Sequence, residues 1–153
     1  PNTTCKTHPC YVSSSSSQPI TTSSSSSGST AAAPQTFTFS VLTTTGSYII
    51  SGTDRLGAVA GTDPTIKINR GDTIKFSVNA IGHPFWIKTQ QSTGTTGAIA
   101  YDPITQQGVS NNGAEITLFS DIVWANAGYS LGVGTYYYNC EHHATMTGQI
   151  IIS

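Results

Sequence analysis

The residues in this chain best equipped for chemistry are concentrated near its end, in Cys140-Glu141-His142-His143-Ala144-Thr145-Met146. A cysteine, a histidine three positions on and a methionine three further can all turn inward on one tight loop joining two strands. Thiolate, imidazole and thioether together form the soft and intermediate donor set that suits copper cycling between its two oxidation states, with the thioether as a long, weak axial ligand. A second imidazole is needed, and His83, preceded by Gly82 at the mouth of the apolar run FWIKT, supplies it. Zinc prefers four good Cys, His or carboxylate ligands in a tetrahedron and gains little from methionine. Non-haem iron would require a facial carboxylate set that the sequence does not offer. Of the adjacent histidines, His143 is expected to face inward and His142 solvent, because a tight turn cannot aim both rings the same way. The plainer reading of each donor on its own is a surface histidine for His83 and core packing for Met146.

The elements that must hold these donors read as all-β. FTFSVL alternates apolar and polar residues, SYII follows a TTTG turn, and TIKIN and TIKFSVN flank the turn signal Arg70-Gly71-Asp72. FWIKT, EITLF, TYYYNC and QIIIS follow, and no window has a capped helical period. Short strands between Gly, Asn, Asp and Pro clusters predict a sandwich or barrel. Its core candidates are Phe37, Phe39, Ile66, Ile68, Ile74, Phe76, Val78, Trp86 and Ile150. The Gly- and Thr-rich segment from Thr89 to Asn112 reads as loop.

His83 followed by Cys-x-x-His-x-x-Met near the C-terminus resembles the cupredoxins, the small blue-copper proteins, with ligand-loop spacing of the amicyanin type. GHPFWIKT, GVSNNGAE and YYYNCEHHATMTGQI also look like plastocyanin-like domains of secreted microbial and algal proteins. The resemblance spans Phe37 to Ser153. It implies a Greek-key β-sandwich in which His83, Cys140 and His143 are equatorial copper ligands and Met146 is axial. Many cupredoxins follow the first histidine with an asparagine that braces the ligand loop. Here Pro84 stands in that place, so bracing is expected from backbone stiffness. Glu141 and His142 fill the positions between Cys140 and His143, where a carboxylate can alter potential or loop shape.

The remainder of the chain has a different character. Residues 1–12 carry Cys5 and Cys10, and residues 13–36 form a Ser/Thr/Pro-rich arm ahead of a domain at 37–153. With three cysteines, a Cys5–Cys10 disulfide that leaves Cys140 as a thiolate uses all of them and suits an oxidising compartment. An intermolecular disulfide, a small metal site with His8, and reduced thiols at a frayed terminus are the alternatives. The arm has too few large apolar residues to offset the entropy of ordering it. It reads either as a plain flexible linker or as an O-glycosylated stalk. The hydroxyl acceptors are Ser13, Ser14, Ser15, Ser16, Ser17, Thr21, Thr22, Ser23, Ser24, Ser25, Ser26 and Ser27, and Asn2 opens an N-glycosylation sequon.

Charged residues are only 8% of the chain and the net charge is −1, which argues against nucleic acid or an anionic membrane as partner. No apolar run is long enough to span a membrane, and Pro1 in place of a methionine and apolar leader reads as a processed, secreted or cell-surface chain. Four protein donors leave a single copper no vacant position, so one-electron transfer to an unnamed redox partner is expected rather than catalysis. No Gly-x-Ser-x-Gly elbow or spare base offers a second catalytic set. Asp54, Asp63, Asp72 and Asp102 read as loop-shaping residues, and Tyr136, Tyr137 and Tyr138 as core and surface packing. Two other roles fit the same residues. One is copper buffering or delivery. The other is a structural subunit of a glycosylated extracellular filament or sheath, self-assembled through the arm.

Overall fold

In the computed structural model, residues 32–153 are described. The expectations placed on Asn2, Cys5, His8, Cys10 and the Ser/Thr acceptors from Ser13 to Ser27 lie outside those residues.

Ten strands follow one another: β1 (Thr36–Thr44), β2 (Ser47–Asp54), β3 (Gly57–Thr62), β4 (Ile66–Ile68), β5 (Thr73–Val78), β6 (Phe85–Lys88), β7 (Gly108–Ser110), β8 (Ile122–Ala125), β9 (Gly134–Cys140) and β10 (Thr147–Ile152). They form two mixed sheets, ordered β3-β2-β1-β5-β8-β7 and β4-β10-β9-β6. The alternation in FTFSVL and TIKFSV puts Phe37, Phe39, Val41, Ile74, Phe76 and Val78 on the inner face of the first sheet, all buried. Ile66, Ile68, Phe85, Ile87, Tyr136, Tyr138, Ile150 and Ile152 do the same for the second, and one hydrophobic core joins both sets. Phe76 and Phe85 meet across it with ring centroids 4.9 Å apart, and Trp124 packs edge-on against Tyr136 at 4.9 Å.

The all-β expectation holds, as do the core candidates other than Trp86, and the differences have physical causes. Trp86 is only half-buried, because it points to the outer face of β6. EITLF does not form a strand. Ile116 makes a single bridge to Asn79, while Leu118 and Phe119 are 80% and 99% exposed. The pairing falls instead to Ile122–Ala125, whose Ile122 and Trp124 enter the core. β3 escapes a pattern-based reading because its residues are small and only Val59 is buried. The Thr89–Asn112 segment is mainly loop but contributes the short β7.

The register fixes the poles of the sandwich. β1 and β5 run parallel, with Thr36 opposite Thr73 and Val41 opposite Val78. The chain therefore enters β1 at the pole of the Asn69–Asp72 turn and leaves β5 at the other pole, toward His83. Phe85 of β6 pairs with Cys140 of β9, so His83 and the β9–β10 loop share that second pole. At the first pole Asp72 accepts from Gln35 N–H (2.8 Å) and Asn69 N–H (2.8 Å) and from Arg55 Nε (2.9 Å), while Arg55 Nη2 donates to the Ala33 carbonyl (2.7 Å). Asp54 accepts from Leu56 and Lys67 N–H, Asp63 from Tyr48 N–H, and Asp102 from Ile104 N–H and Thr105 Oγ1, so all four aspartates shape turns.

Candidate metal centre

β9 carries GTYYYNC and alternates its side chains, so Tyr136, Tyr138 and Cys140 point to the core face. The strand ends at Cys140, which is fully buried. The loop back into β10 closes on itself: Cys140 N–H donates to the Met146 carbonyl (2.9 Å) and Met146 N–H to the His143 carbonyl (3.3 Å). His143 is brought over the thiol from within the loop, and His83 comes from the β5–β6 connection. The donor atoms of His83, Cys140 and His143 lie within 4.8 Å of one another.

The finer distances test whether a metal fits. Cys140 Sγ is 3.4 Å from His143 Nδ1 and 3.7 Å from His83 Nδ1. With bonds of about 2.0 Å to imidazole nitrogen and about 2.3 Å to thiolate sulfur, donors spread in a plane around one ion stand about 3.7 Å apart. The two imidazoles present the same nitrogen to the sulfur, with rings tilted 38° and centroids 4.9 Å apart. Met146, on the same loop, is completely buried. The residues present therefore fit a copper ion: the spacing suits a small metal, and two imidazoles, a thiolate and a neighbouring thioether favour copper over zinc. Exposure is graded across the cluster, with Cys140 buried, His83 half-buried and His143 exposed. His142 is exposed, as its place beside His143 predicts.

The support around the loop is where the structure adds most. Asn139, fully buried immediately before Cys140, donates through Nδ2 to the carbonyls of Cys140 (3.1 Å), His143 (3.2 Å) and Met146 (3.2 Å). Its Oδ1 accepts from Ser92 N–H at 3.1 Å. An asparagine side chain thus braces the loop from β9 and not from the position after His83, which Pro84 occupies. The visible signal was a polar residue amid the apolar positions of YYYNC. Pro84 takes part through its carbonyl, which accepts from Glu141 N–H (3.3 Å) and from Tyr48 Oη (3.0 Å). Tyr48 Oη also reaches the His83 carbonyl, 3.0 Å away, so a β2 residue pins the backbone of the first histidine. Burial first, then the charge of nearby Cys140, push the Tyr48 hydroxyl far above the ordinary phenol range, so it remains a donor.

Glu141 Oε2 accepts from Trp86 Nε1 at 3.0 Å, which holds the carboxylate sideways on the outer face of β6. Gly113 makes room for that indole: its φ is +87° and a Cβ there would run into the Trp86 ring. Lys88 is fully buried, and burial pulls its ammonium below the usual lysine range, against the opposing pull of Glu141 and Cys140. An open cleft of about 440 Å³, lined in part by Thr89, Ile99, Asp102 and Leu131, shares no residue with the donor cluster.

No protein-family model matches the chain, and no curated protein does. Among solved structures it is similar to rusticyanin from Thiobacillus ferrooxidans, at 19% identity and a TM-score of 0.42 over 80% of this chain and 79% of that one. A second structure of the copper protein rusticyanin aligns at 19% identity and a TM-score of 0.41, covering 80% of each chain. Reduced rusticyanin in solution gives 19% identity and 0.43, over 80% of this chain and 79% of the other. At that distance the assignment rests on this chain's own geometry. Two mixed sheets, a Cys-x-x-His-x-x-Met loop between β9 and β10, and a facing histidine at the same pole make the described domain cupredoxin-like in fold and in donor set.

Proposed function

We propose that this chain is an extracytoplasmic electron carrier in which His83, Cys140, His143 and Met146 hold one copper ion. The observation that carries the proposal is the convergence of Sγ and two Nδ1 atoms at 3.4 and 3.7 Å over a buried thiol. Bound copper would supply a one-electron couple at potentials set by its donors and their surroundings. The protein's part is to keep those donors still. Asn139 and Tyr48 fix the backbone on either side of the cluster, and a shell that changes little between oxidation states suits electron transfer better than substrate turnover. Four protein donors leave no open position, which favours a carrier over an enzyme.

His143 is the exposed member and gives the partner its point of approach. Exposed Ile81, in the His83 connection, adds apolar surface at the same pole. At the opposite pole Arg55 and Asp72 hold residues 33–35, so the entry into β1 leaves the His143 pole uncovered within the described domain. Among the described residues no helix is long and apolar enough to cross a membrane. The test is copper binding by the full chain: one equivalent with an intense thiolate-to-copper absorption supports the reading, and failure to bind overturns it.

A second reading draws on β3, an edge strand of six residues, GAVAGT, with no charge to block strand addition. A neighbour's segment pairing there would make the chain a filament subunit that also carries copper. Sizing and electron microscopy of the native material check this, and a strict monomer removes it.

A further inference from the structure

Lys88 ends β6 with its side chain fully buried and no carboxylate against it; among the described residues the one ion pair is Arg55–Asp72. Its Nζ donates instead to the carbonyl of Ser92 (2.6 Å) and to that of Gly94. Two carbonyl oxygens aimed at one point repel each other unless a hydrogen-bond donor lies between them, and a charged ammonium makes the stronger bonds. Burying an ammonium is costly, so it is retained only where the groups it gathers compensate. The N–H groups of the same two residues face the metal loop. Ser92 N–H donates to Asn139 Oδ1 (3.1 Å) and Gly94 N–H to the Glu141 carbonyl (2.7 Å). Gly94 has φ +63°, a left-handed conformation that glycine adopts without penalty.

We infer that Lys88 is a positioning residue for the donor loop: its ammonium gathers the 92–94 segment, and that segment fixes Asn139 and Glu141, the neighbours of Cys140 on both sides. From Asn139 the connection continues to the carbonyls of Cys140, His143 and Met146. Glu141 is not its contact partner: the two form no ion pair, and the carboxylate takes the Trp86 Nε1–H bond instead. Lysine suits the task because a compact ammonium with rotatable donors can serve two converging carbonyls, whereas a planar guanidinium matches carboxylates. The inference rests on reading 140–146 as the ligand loop, but its test does not require copper.

The test is native-state amide hydrogen exchange on the metal-free full chain, wild type against Lys88→Met and Lys88→Gln. In the methionine variant the amides of Ser92, Gly94, Cys140 and Met146 are expected to exchange at least about tenfold faster, while Val41 and Ile50 in β1 and β2 keep their rates. Glutamine, which can still donate to one carbonyl, should restore part of the protection. Acceleration confined to Ser92 and Gly94 would overturn the inference, as would uniform acceleration that includes Val41 and Ile50. Should the methionine variant not fold, wild type in rising subdenaturing urea decides: the four amides must merge into one opening unit, and separate openings refute the coupling. In a parallel copper-loaded sample, release to a chelator should be about tenfold faster for Lys88→Met. A wild type that takes no copper refutes the metal reading while the exchange result stands.

Discussion

The side-chain amide of Asn139 donates to the main-chain carbonyl of His143 across 3.2 Å, so the residue before the thiol fixes the backbone of the imidazole that overlies it. The same nitrogen serves Cys140 and Met146, which puts three of the four proposed ligands under one buried side chain. Replacing Asn139 by Leu removes the side-chain donor from all three carbonyls and leaves only the backbone bonds from Cys140 N–H to Met146 and from Met146 N–H to His143. The expected cost is about 1–3 kcal/mol in denaturant unfolding, with faster copper release to a chelator. Unchanged release would show that the loop holds its shape without the amide.

Tyr48→Phe separates packing from hydrogen bonding, because the ring keeps its place against Phe85 (4.9 Å) while the bonds to the His83 and Pro84 carbonyls are lost. The expected loss is about 1 kcal/mol, read as a lower urea midpoint with the same slope. The thiolate-to-copper band should also shift, because the His83 backbone is freed beside Cys140.

Gly113→Ala is expected to destabilise by about 1–3 kcal/mol through overpacking, since a Cβ at positive φ meets the Trp86 ring. Displacing the indole breaks its bond to Glu141. Intrinsic fluorescence should therefore move with stability, whereas Gly46→Ala, with open space around it, should leave Trp86 emission in place.

Asp72 sets an acid limit. Burial alone would raise its carboxyl, but Arg55 and the N–H groups of Gln35 and Asn69 outweigh that and hold it below the usual carboxylate range. A depressed folded value means its stabilisation is complete above the unfolded value near about 3.9 and is lost as pH falls through the folded one. Urea midpoints measured from pH 6 downward should fall in that acid window. Asp72→Asn should be less stable at pH 6 and lose less between pH 4 and the acid end.

Much of the centre was legible because its donors are chemically rare and closely spaced: Cys140, His143 and Met146 are read directly, and His83 stands out beside FWIKT. Long-range bracing was not. Tyr48 lies 35 positions from His83, and Ser92 lies 47 from Asn139, so only the folded sheets reveal that they touch. Alternating strands such as FTFSVL and TIKFSV declared themselves through large apolar side chains. β3 did not, because small residues leave no period to read, and EITLF misled because Leu118 and Phe119 project into solvent. Pro84 drew attention to backbone stiffness; its carbonyl, held by Tyr48 and Glu141, joins a brace whose principal side chain is Asn139.

Titration of the metal-free full chain with copper(II), followed by visible absorption and elemental analysis and repeated on Cys140→Ser, addresses the central claim most directly. One bound equivalent is expected, with an intense charge-transfer band that bleaches on reduction and is missing from the serine variant. A colourless chain with no bound copper at equimolar metal, or a serine variant that colours as wild type does, would contradict it.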